Sequence, residues 1–408
     1  MATFAVASCS SDNPDAAPTS STVTAPTTTE VPDTTTPSTT PTTTPSHGPA
    51  RFSALGSTRL RFFAECPDLL AYMQDEATKR VTSWGLGGGG WGRYPGGPVP
   101  MMEASAAGAA TDDKSAAAPA TTVANYSGTN TQEVGVDEGD IVETDGTHVF
   151  VASQDGVRIV DVASAQVVAK LDVSDGSHQL LLDGTRLLVV TQPYSGVDTV
   201  ASLYDVADAS APTLLHRSHL EGHLMAARSI DGTARLVLTA SFDTRLPFVH
   251  PDMFGLDEDR ALQRNKEIIA ASTVDDWMPR TFDEASDGTF GDMSTTLDCS
   301  TVAAPRDFAG LGLSWIASID LQGSGESVGA AGIVSNSDVV YASEKNIYLA
   351  TVPWDWYQPQ TDAPQNPEMP PTLIHEFSLG DGGSASYVAS GEVPGQLLNQ
   401  FSMSELNG

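Results

Sequence analysis

Three groups of side chains have the type and spacing to do chemistry. The first is acidic: Asp137-Glu138-Gly139-Asp140, with Glu143 and Asp145 close behind. Hard cations such as Ca²⁺ are held by several oxygens converging on a tight turn, which makes Asp137, Glu138 and Asp140 candidate ligands. The run lacks the alternating acids and sixth-place glycine of an EF-hand loop. The plainer reading has Asp137 and Asp140 capping turns through backbone amides. The second group is His216, His219 and His223, at three- and four-residue steps. On a helix they would share a face, as zinc requires. The surrounding Leu214-Leu-His-Arg-Ser-His-Leu reads at least as well as a strand and turn, which scatters them, and no nearby residue completes a ligand set. The third is aromatic: Trp354, Trp356 and Tyr357, flanked by Pro353 and Pro359. Exposed, these rings form a platform on which a sugar or peptide can stack; buried, they are core, the commoner fate of large aromatics.

Covalent and phosphate chemistry find less support. Gly323-Ser-Gly-Glu-Ser and Gly382-Gly-Ser-Ala-Ser are turn-like and lack the strand-to-helix setting of a nucleophile elbow. The glycine run from Gly85 to Gly92 has no preceding strand and no following Lys-Ser/Thr, so it is not a phosphate loop. No catalytic residue and no cofactor other than the candidate Ca²⁺ emerges.

Charge narrows the partners. Twenty basic against 52 acidic residues leave a net charge of −32. Such a surface repels nucleic acid and acidic headgroups, and the plain reading is a well-solvated exterior.

The three cysteines divide into one and two. Val6-Ala7-Ser8-Cys9 resembles a bacterial lipobox, in which Cys9 becomes the lipidated first residue. Residues 10–50 follow as a Thr/Pro-rich stretch too poor in large apolar residues to fold, hence a disordered stalk. Only eight residues precede Cys9, without Lys or Arg, whereas a signal peptide needs a basic start and an apolar run of roughly 7–15 residues. Residues 1–9 therefore read as the remnant of a leader whose natural start lies upstream. No stretch reaches the roughly 18 apolar residues of a membrane span, so lipid is the expected attachment. Cys66 and Cys299, far apart in a chain assigned to an oxidising compartment, are expected to form a disulfide in preference to two buried thiols.

The positioning elements come in a regular series. Residues 51–84 are assigned to an N-terminal helix. Phe62, Cys66, Leu69, Leu70, Met73 and Ala77 recur at helical steps over residues 59–81, Pro67 fits a first turn, and Gly85 is the stop. Residues 85–122 are a Gly/Ala-rich linker. From residue 123 the texture becomes β-rich. Asp-Gly sits between apolar runs at Asp145, Asp183 and Asp231, a strong hairpin signal, and Lys345-Asn346 occupies a further copy. After the hairpins come strands ending in Asp plus an aliphatic: Ile159-Val-Asp-Val, Leu203-Tyr-Asp-Val and Ser318-Ile-Asp-Leu, with Phe377-Ser-Leu a looser relative. The turn aspartates recur at about 40–50 residues, the length of a propeller blade. Residues 242–314 break the series and contain a predicted helix over residues 257–270, so they are read as an insertion.

The stretch Ser127-Gly-Thr-Asn-Thr-Gln-Glu-Val-Gly-Val-Asp-Glu-Gly-Asp-Ile-Val-Glu-Thr-Asp-Gly resembles the entry into the propeller of secreted bacterial proteins with a C-terminal β-propeller domain, distant relatives of WD-repeat propellers. Asp275-Asp-Trp-Met-Pro, Thr372-Leu-Ile-His-Glu-Phe and Val393-Pro-Gly-Gln-Leu-Leu-Asn-Gln-Phe-Ser-Met-Ser-Glu match in the expected order. The resemblance implies fold and says nothing of activity. It also implies further blades after Gly408, so the propeller is expected to be truncated within residues 123–408. The fold class is all-β: a β-propeller of about four blade-like units, incomplete in this chain, with an N-terminal helix and a partly helical insertion. The functional expectation is an extracytoplasmic lipoprotein, held to the membrane by lipid alone, that acts as a non-catalytic binding or scaffold module for a protein or glycan. An extracytoplasmic hydrolase or metal-dependent enzyme using the propeller channel is the competing class, and a structural envelope component the third.

Overall fold

Every Asp-Gly pair singled out above turns the first hairpin of a sheet. The computed structural model describes residues 60–86, 131–196, 198–242, 245–251, 253–285, 287–295, 297–352, 371–380 and 384–406. Cys9, the stalk, most of the 85–122 linker, and Trp354, Trp356 and Tyr357 lie outside them.

The chain enters through a short strand β1 (Leu60–Phe62) and the helix α1 (Cys66–Arg80), whose first turn carries Pro67. The helix is shorter than the 59–81 expected. The residues before Pro67 instead take up an extended edge, Leu60 opposite Pro305, and Phe62 stays exposed. Gly85 does not end the helix either: Val81 does, and Gly85 closes a tight turn back onto Thr82 at φ +91°, where a side chain would be strained.

A two-residue strand β2 (Asp137–Glu138) precedes the first blade, β3 (Val142–Thr144), β4 (His148–Ser153), β5 (Gly156–Asp161) and β6 (Gln166–Leu171). The second blade is β7 (Gly176–Asp183), β8 (Arg186–Pro193), β9 (Asp198–Asp205) and β10 (Thr213–Glu221). The third opens with β11 (His223–Ile230) and β12 (Thr233–Ala240), and is then interrupted. The interruption carries the helix α2 (Glu258–Ala271) and strands β13 (Thr281–Asp283) and β14 (Val302–Pro305). Asp257, expected inside α2, caps it: its carboxylate accepts from Arg260 N at 2.8 Å. The blade resumes with β15 (Leu313–Asp320) and β16 (Ser327–Ile333). The fourth blade is β17 (Ser337–Ala342), β18 (Asn346–Thr351), β19 (Pro371–Leu379) and β20 (Ala385–Pro394).

Each blade is an antiparallel meander, and the Asp-aliphatic runs at Asp161, Asp205 and Asp320 close its third strand. The β-propeller architecture follows from the packing between sheets. Period-2 alternation sends Leu187 and Val189 to a core shared with the first blade, while Leu188 and Val190 enter one shared with the third. Val237 and Ile316 of the third blade meet Ile347 and Phe377 of the fourth. Blade faces thus bury each other in series, and the first strands β3, β7, β11 and β17 are neighbours.

The insertion braces two blades at their outer edges. β13 extends β10, while β14 lies parallel to β16 and carries β1 beyond it. Helix α1 buries Leu69, Tyr72, Met73 and Ala77 in the core between blades two and three. Cys66 is bonded to Cys299 (S–S 2.01 Å, Cα–Cα 5.1 Å), closing a separation of 233 residues and joining α1 to the insertion. No helix among the described residues is long and apolar enough to cross a membrane.

Candidate functional site

The acidic segment predicted as a ligand loop runs along the first strands of the blades. β2 lies against β11, with Glu138 opposite Arg228 and Asp137 opposite Ser229. Gly139 N then donates to Ala227 O at 2.9 Å, and Asp140 exchanges two backbone bonds with Leu180 of β7. A Cβ on Gly139 would lie 2.5 Å from the Gln179 amide oxygen and 3.0 Å from the Ala227 methyl. Glycine is what lets the strip pass between two blades.

Consecutive strand residues point to opposite sides, so Asp137 and Glu138 do not share a face. Glu138 sits 3.8 Å from Arg228, and Gln400 joins the pair, accepting from Arg228 at 2.7 Å. Asp137 and Asp140 both bear on Glu143 through their charges. Burial first, then the Asp140 charge, pushes the Asp137 carboxyl up to about 6. Burial and Glu138 raise that of Asp140. Glu143 is 7% exposed, and one of its carboxyl oxygens has no hydrogen-bond partner. Burial, then Asp137 and Asp140, pushes it up to about 8. It therefore carries its proton at neutral pH. Among the described residues no group of three or more His, Cys, Asp or Glu is placed to hold a metal ion. Asp145 caps the following turn, accepting from the Thr147 and His148 amides at 2.7 and 2.6 Å. Burial alone would raise the Asp145 carboxyl; the bonds from His148 and Thr147 outweigh it and hold the group at about 2.

On the fourth-blade side, residues either side of the strip are clasped by the chain's last described segment. Tyr341 donates to Glu133 at 2.6 Å and accepts from Glu405 N at 2.8 Å. The Glu405 carboxylate in turn receives Ser343, Asn346 and Tyr348 at 2.7–2.9 Å.

A second site, in which the candidate histidines His216 and His219 meet residues of the insertion, lies at the outer edge of the second blade. There β13 pairs with β10, Ser218 opposite Asp283 and His219 opposite Phe282, and a pocket of about 400 Å³ opens beside them. Leu214, His216, Asp283, Glu284, Thr289 and Phe290 contribute to its walls. His216 Nε2 lies 2.8 Å from Ser218 Oγ and 3.1 Å from Asp283 Oδ1, and Ser218 Oγ donates to the same carboxylate at 2.7 Å. On the opposite face Glu284 bridges Arg217 (3.0 Å) and His219 (2.9 Å). Burial works to raise the Glu284 carboxyl, but these two partners prevail and lower it. His219 stacks on Phe282 with centroids 4.5 Å apart, and Phe290 meets both edge-on while remaining 61% exposed.

The histidines thus lie on strands. His216 and His219 project from opposite faces of β10, and His223 begins β11. Ser218, Asp283, Glu284 and Phe290 escaped the sequence reading because the pairing of β10 with β13 spans 65 residues at Ser218–Asp283. The one local hint was that the insertion carries adjacent acids at 283 and 284.

Residues 126–408 match the family described as the beta propeller domain. No curated protein matches the sequence. Among solved structures, the N-terminal domain of Nup159 is 10% identical, with 60% of this chain covering 47% of that one at a TM-score of 0.23. The chain thus spans about half the length of that domain. Hydrazine synthase of Kuenenia stuttgartiensis is 13% identical, with 64% and 68% covered and a TM-score of 0.25. The β-propeller domain of Myceliophteria thermophila Cps50 (Swd1) is 14% identical, with 62% and 72% covered and a TM-score of 0.19.

Proposed function

The chain belongs to the beta propeller domain family, and from that premise we propose that it is an extracytoplasmic, lipid-anchored module that binds a protein or glycan without turning it over. The observation that carries the binding reading is the bonding at the rim pocket. A nucleophilic triad needs its acid and its serine on different nitrogens of the histidine, so that the base is oriented from one side and takes a proton on the other. Here Ser218 and Asp283 both lie against Nε2 of His216, with Ser218 Oγ also 2.7 Å from the carboxylate. This arrangement supports a positioning role for these side chains over a nucleophilic one. The partly exposed Phe290 beside fixed polar groups is the composition of a recognition surface.

The compartment rests on two supports. One is the Cys66–Cys299 bond, since such bonds persist in oxidising surroundings. The other is Cys9 followed at once by the Thr/Pro-rich stretch. The net charge of −32 disfavours nucleic acid as the ligand.

Immobilised glycan and peptide arrays probed with the full chain test the binding claim. The expected result is a ligand retained by the wild type and weakened at least about ten-fold in Phe290→Ala, the loss of one aromatic anchor. Cleavage of an array compound by the wild type, or a retained ligand indifferent to Phe290, overturns it. Palmitate labelling of producing cells tests the anchor: label on the wild type and none on Cys9→Ser.

A further inference from the structure

A buried row of polar side chains crosses the third blade from the propeller axis outward. Glu138 of β2 pairs with Arg228 of β11, Arg228 with Arg235 of β12, Arg235 with Ser318 of β15, and Ser318 with Gly329 of β16. Residues directly opposite across a sheet share a face. This face is the one that also carries Val237, Ile316 and Ala331 into the core between blades three and four. Arg228 is 7% exposed, Arg235 3% and Ser318 fully buried.

The charges in this row do not balance. Glu138 answers Arg228, which also donates to Ala227 O at 2.8 Å and to Gln400 at 2.7 Å. Arg235 has no such partner: its Nε and Nη1 are buried without an acceptor, and the neighbouring Ser318 hydroxyl is equally unsatisfied. Burial lowers the Arg235 guanidinium to about 10, which still leaves it charged at neutral pH. Buried polar groups are paired as a rule, and a charged one without a partner is the costliest exception.

We propose that Arg235 and Ser318 form a binding site for a small oxyanion between the third and fourth blades. A guanidinium presents its N–H groups as a planar fork that fits two oxygens of one phosphate or carboxylate, and a hydroxyl alongside serves a third. At the outer end of the row Gly329 adds no side chain, and Ser384 lies against it, 3.4 Å from where a Cβ would stand. The site is separate from the rim pocket and independent of what that pocket binds.

Inorganic phosphate is the probe. Thermal unfolding of the full chain is followed while sodium phosphate replaces chloride at constant ionic strength. A bound anion gives a saturable rise in midpoint, on the order of 5 °C at a hundred times half-saturation. General exclusion of phosphate from protein surfaces gives a rise that never saturates. The wild type and Arg264→Met, which removes an exposed arginine of α2, are expected to saturate alike. Arg235→Met is expected to lose the saturable part while remaining folded, since an apolar chain of similar length suits a buried position. Should that variant fail to fold, Ser318→Ala reads the same site: half-saturation shifts upward about ten-fold on loss of one hydrogen bond to a charged group. A non-saturating response in the wild type, or a saturable one untouched by Arg235→Met or Ser318→Ala, overturns the proposal.

Discussion

Glu143 gives the acidic strip its sharpest test. Unfolded, its carboxyl ionises near the ordinary 4.5; folded, burial and the charges of Asp137 and Asp140 push it to about 8. Between those values the folded chain holds a proton that the unfolded chain has released. Stability therefore falls as pH rises through the window, by ~1.4 kcal/mol per pH unit. From pH 5 to 8 the loss reaches up to ~4 kcal/mol, a large share of the ~5–15 kcal/mol that holds a domain together. Other groups overlay this trend. Asp137, raised to about 6, acts in the same direction below that pH. His375, whose burial depresses its imidazole to about 4, acts in the opposite one: folded and neutral, it gains stability as pH rises from about 4 toward the ordinary 6.5. These terms offset below pH 6.5, and above it Glu143 dominates. The total slope is therefore less informative than the difference between the wild type and Glu143→Gln, which keeps the shape and cannot ionise. Urea unfolding at half-unit steps from pH 5 to 8 measures it. The variant is expected to gain on the wild type as pH rises, by ~2 kcal/mol between pH 6.5 and 8. A difference that stays constant within ~0.5 kcal/mol over the whole range would mean that Glu143 ionises normally in the folded chain, and the account of a desolvated strip fails.

Other perturbations address the scaffold. Cys299→Ser frees α1 from the insertion and opens a 233-residue loop; the stability loss is up to ~5 kcal/mol in the chain-entropy model, and faster amide exchange in α1 than in the blades is the local sign to look for. Trp315, fully buried on β15 with its indole N–H on Glu221 O at 3.2 Å, should cost ~3–5 kcal/mol as Ala in urea unfolding. As Phe it should cost only ~1–2 kcal/mol, chiefly the orphaned carbonyl. Gly176 opens β7 where a Cβ would stand 2.4 Å from the backbone oxygen of Gln192. Backbone cannot rotate aside, so Gly176→Ala is expected to cost ~1–3 kcal/mol, and a neutral midpoint would show that the β7–β8 edge yields.

What the sequence disclosed was whatever depends on neighbours along the chain. A hairpin is specified by its two turn residues, so Asp145-Gly146, Asp183-Gly184, Asp231-Gly232 and Lys345-Asn346 marked the first hairpin of all four blades. The interruption was visible for the same reason: the strand pattern stops after β12 and restarts with β15. Helix α1 was read too long because apolar residues at helical steps continue through Phe62, and nothing local announces that β14 offers Leu60–Phe62 an edge. Arg235 was visible inside an apolar strand, Thr233-Ala-Arg-Leu-Val-Leu. Its significance was not, because strand alternation gives two faces without saying what covers either one.

The rim pocket shows why its residues had to escape a reading by motif. β10 is the last strand of its blade, and an uncovered last strand is a template for unwanted pairing. β13 covers part of it with only three residues, paired from Ser218 to Leu220. Pairing that short cannot depend on apolar alternation for its register. Side-chain contacts supply it: Asp283 reaches Ser218 and His216, Phe282 stacks on His219, and Glu284 spans Arg217 and His219. A one-residue slip would separate all of these partners at once and turn each side chain to the other face. Three of the residues that hold the insertion on the blade, His216, Asp283 and Glu284, are therefore also walls of the pocket. Protection of the edge and presentation of a binding surface are met by the same few side chains, drawn from segments about 65 residues apart in the chain.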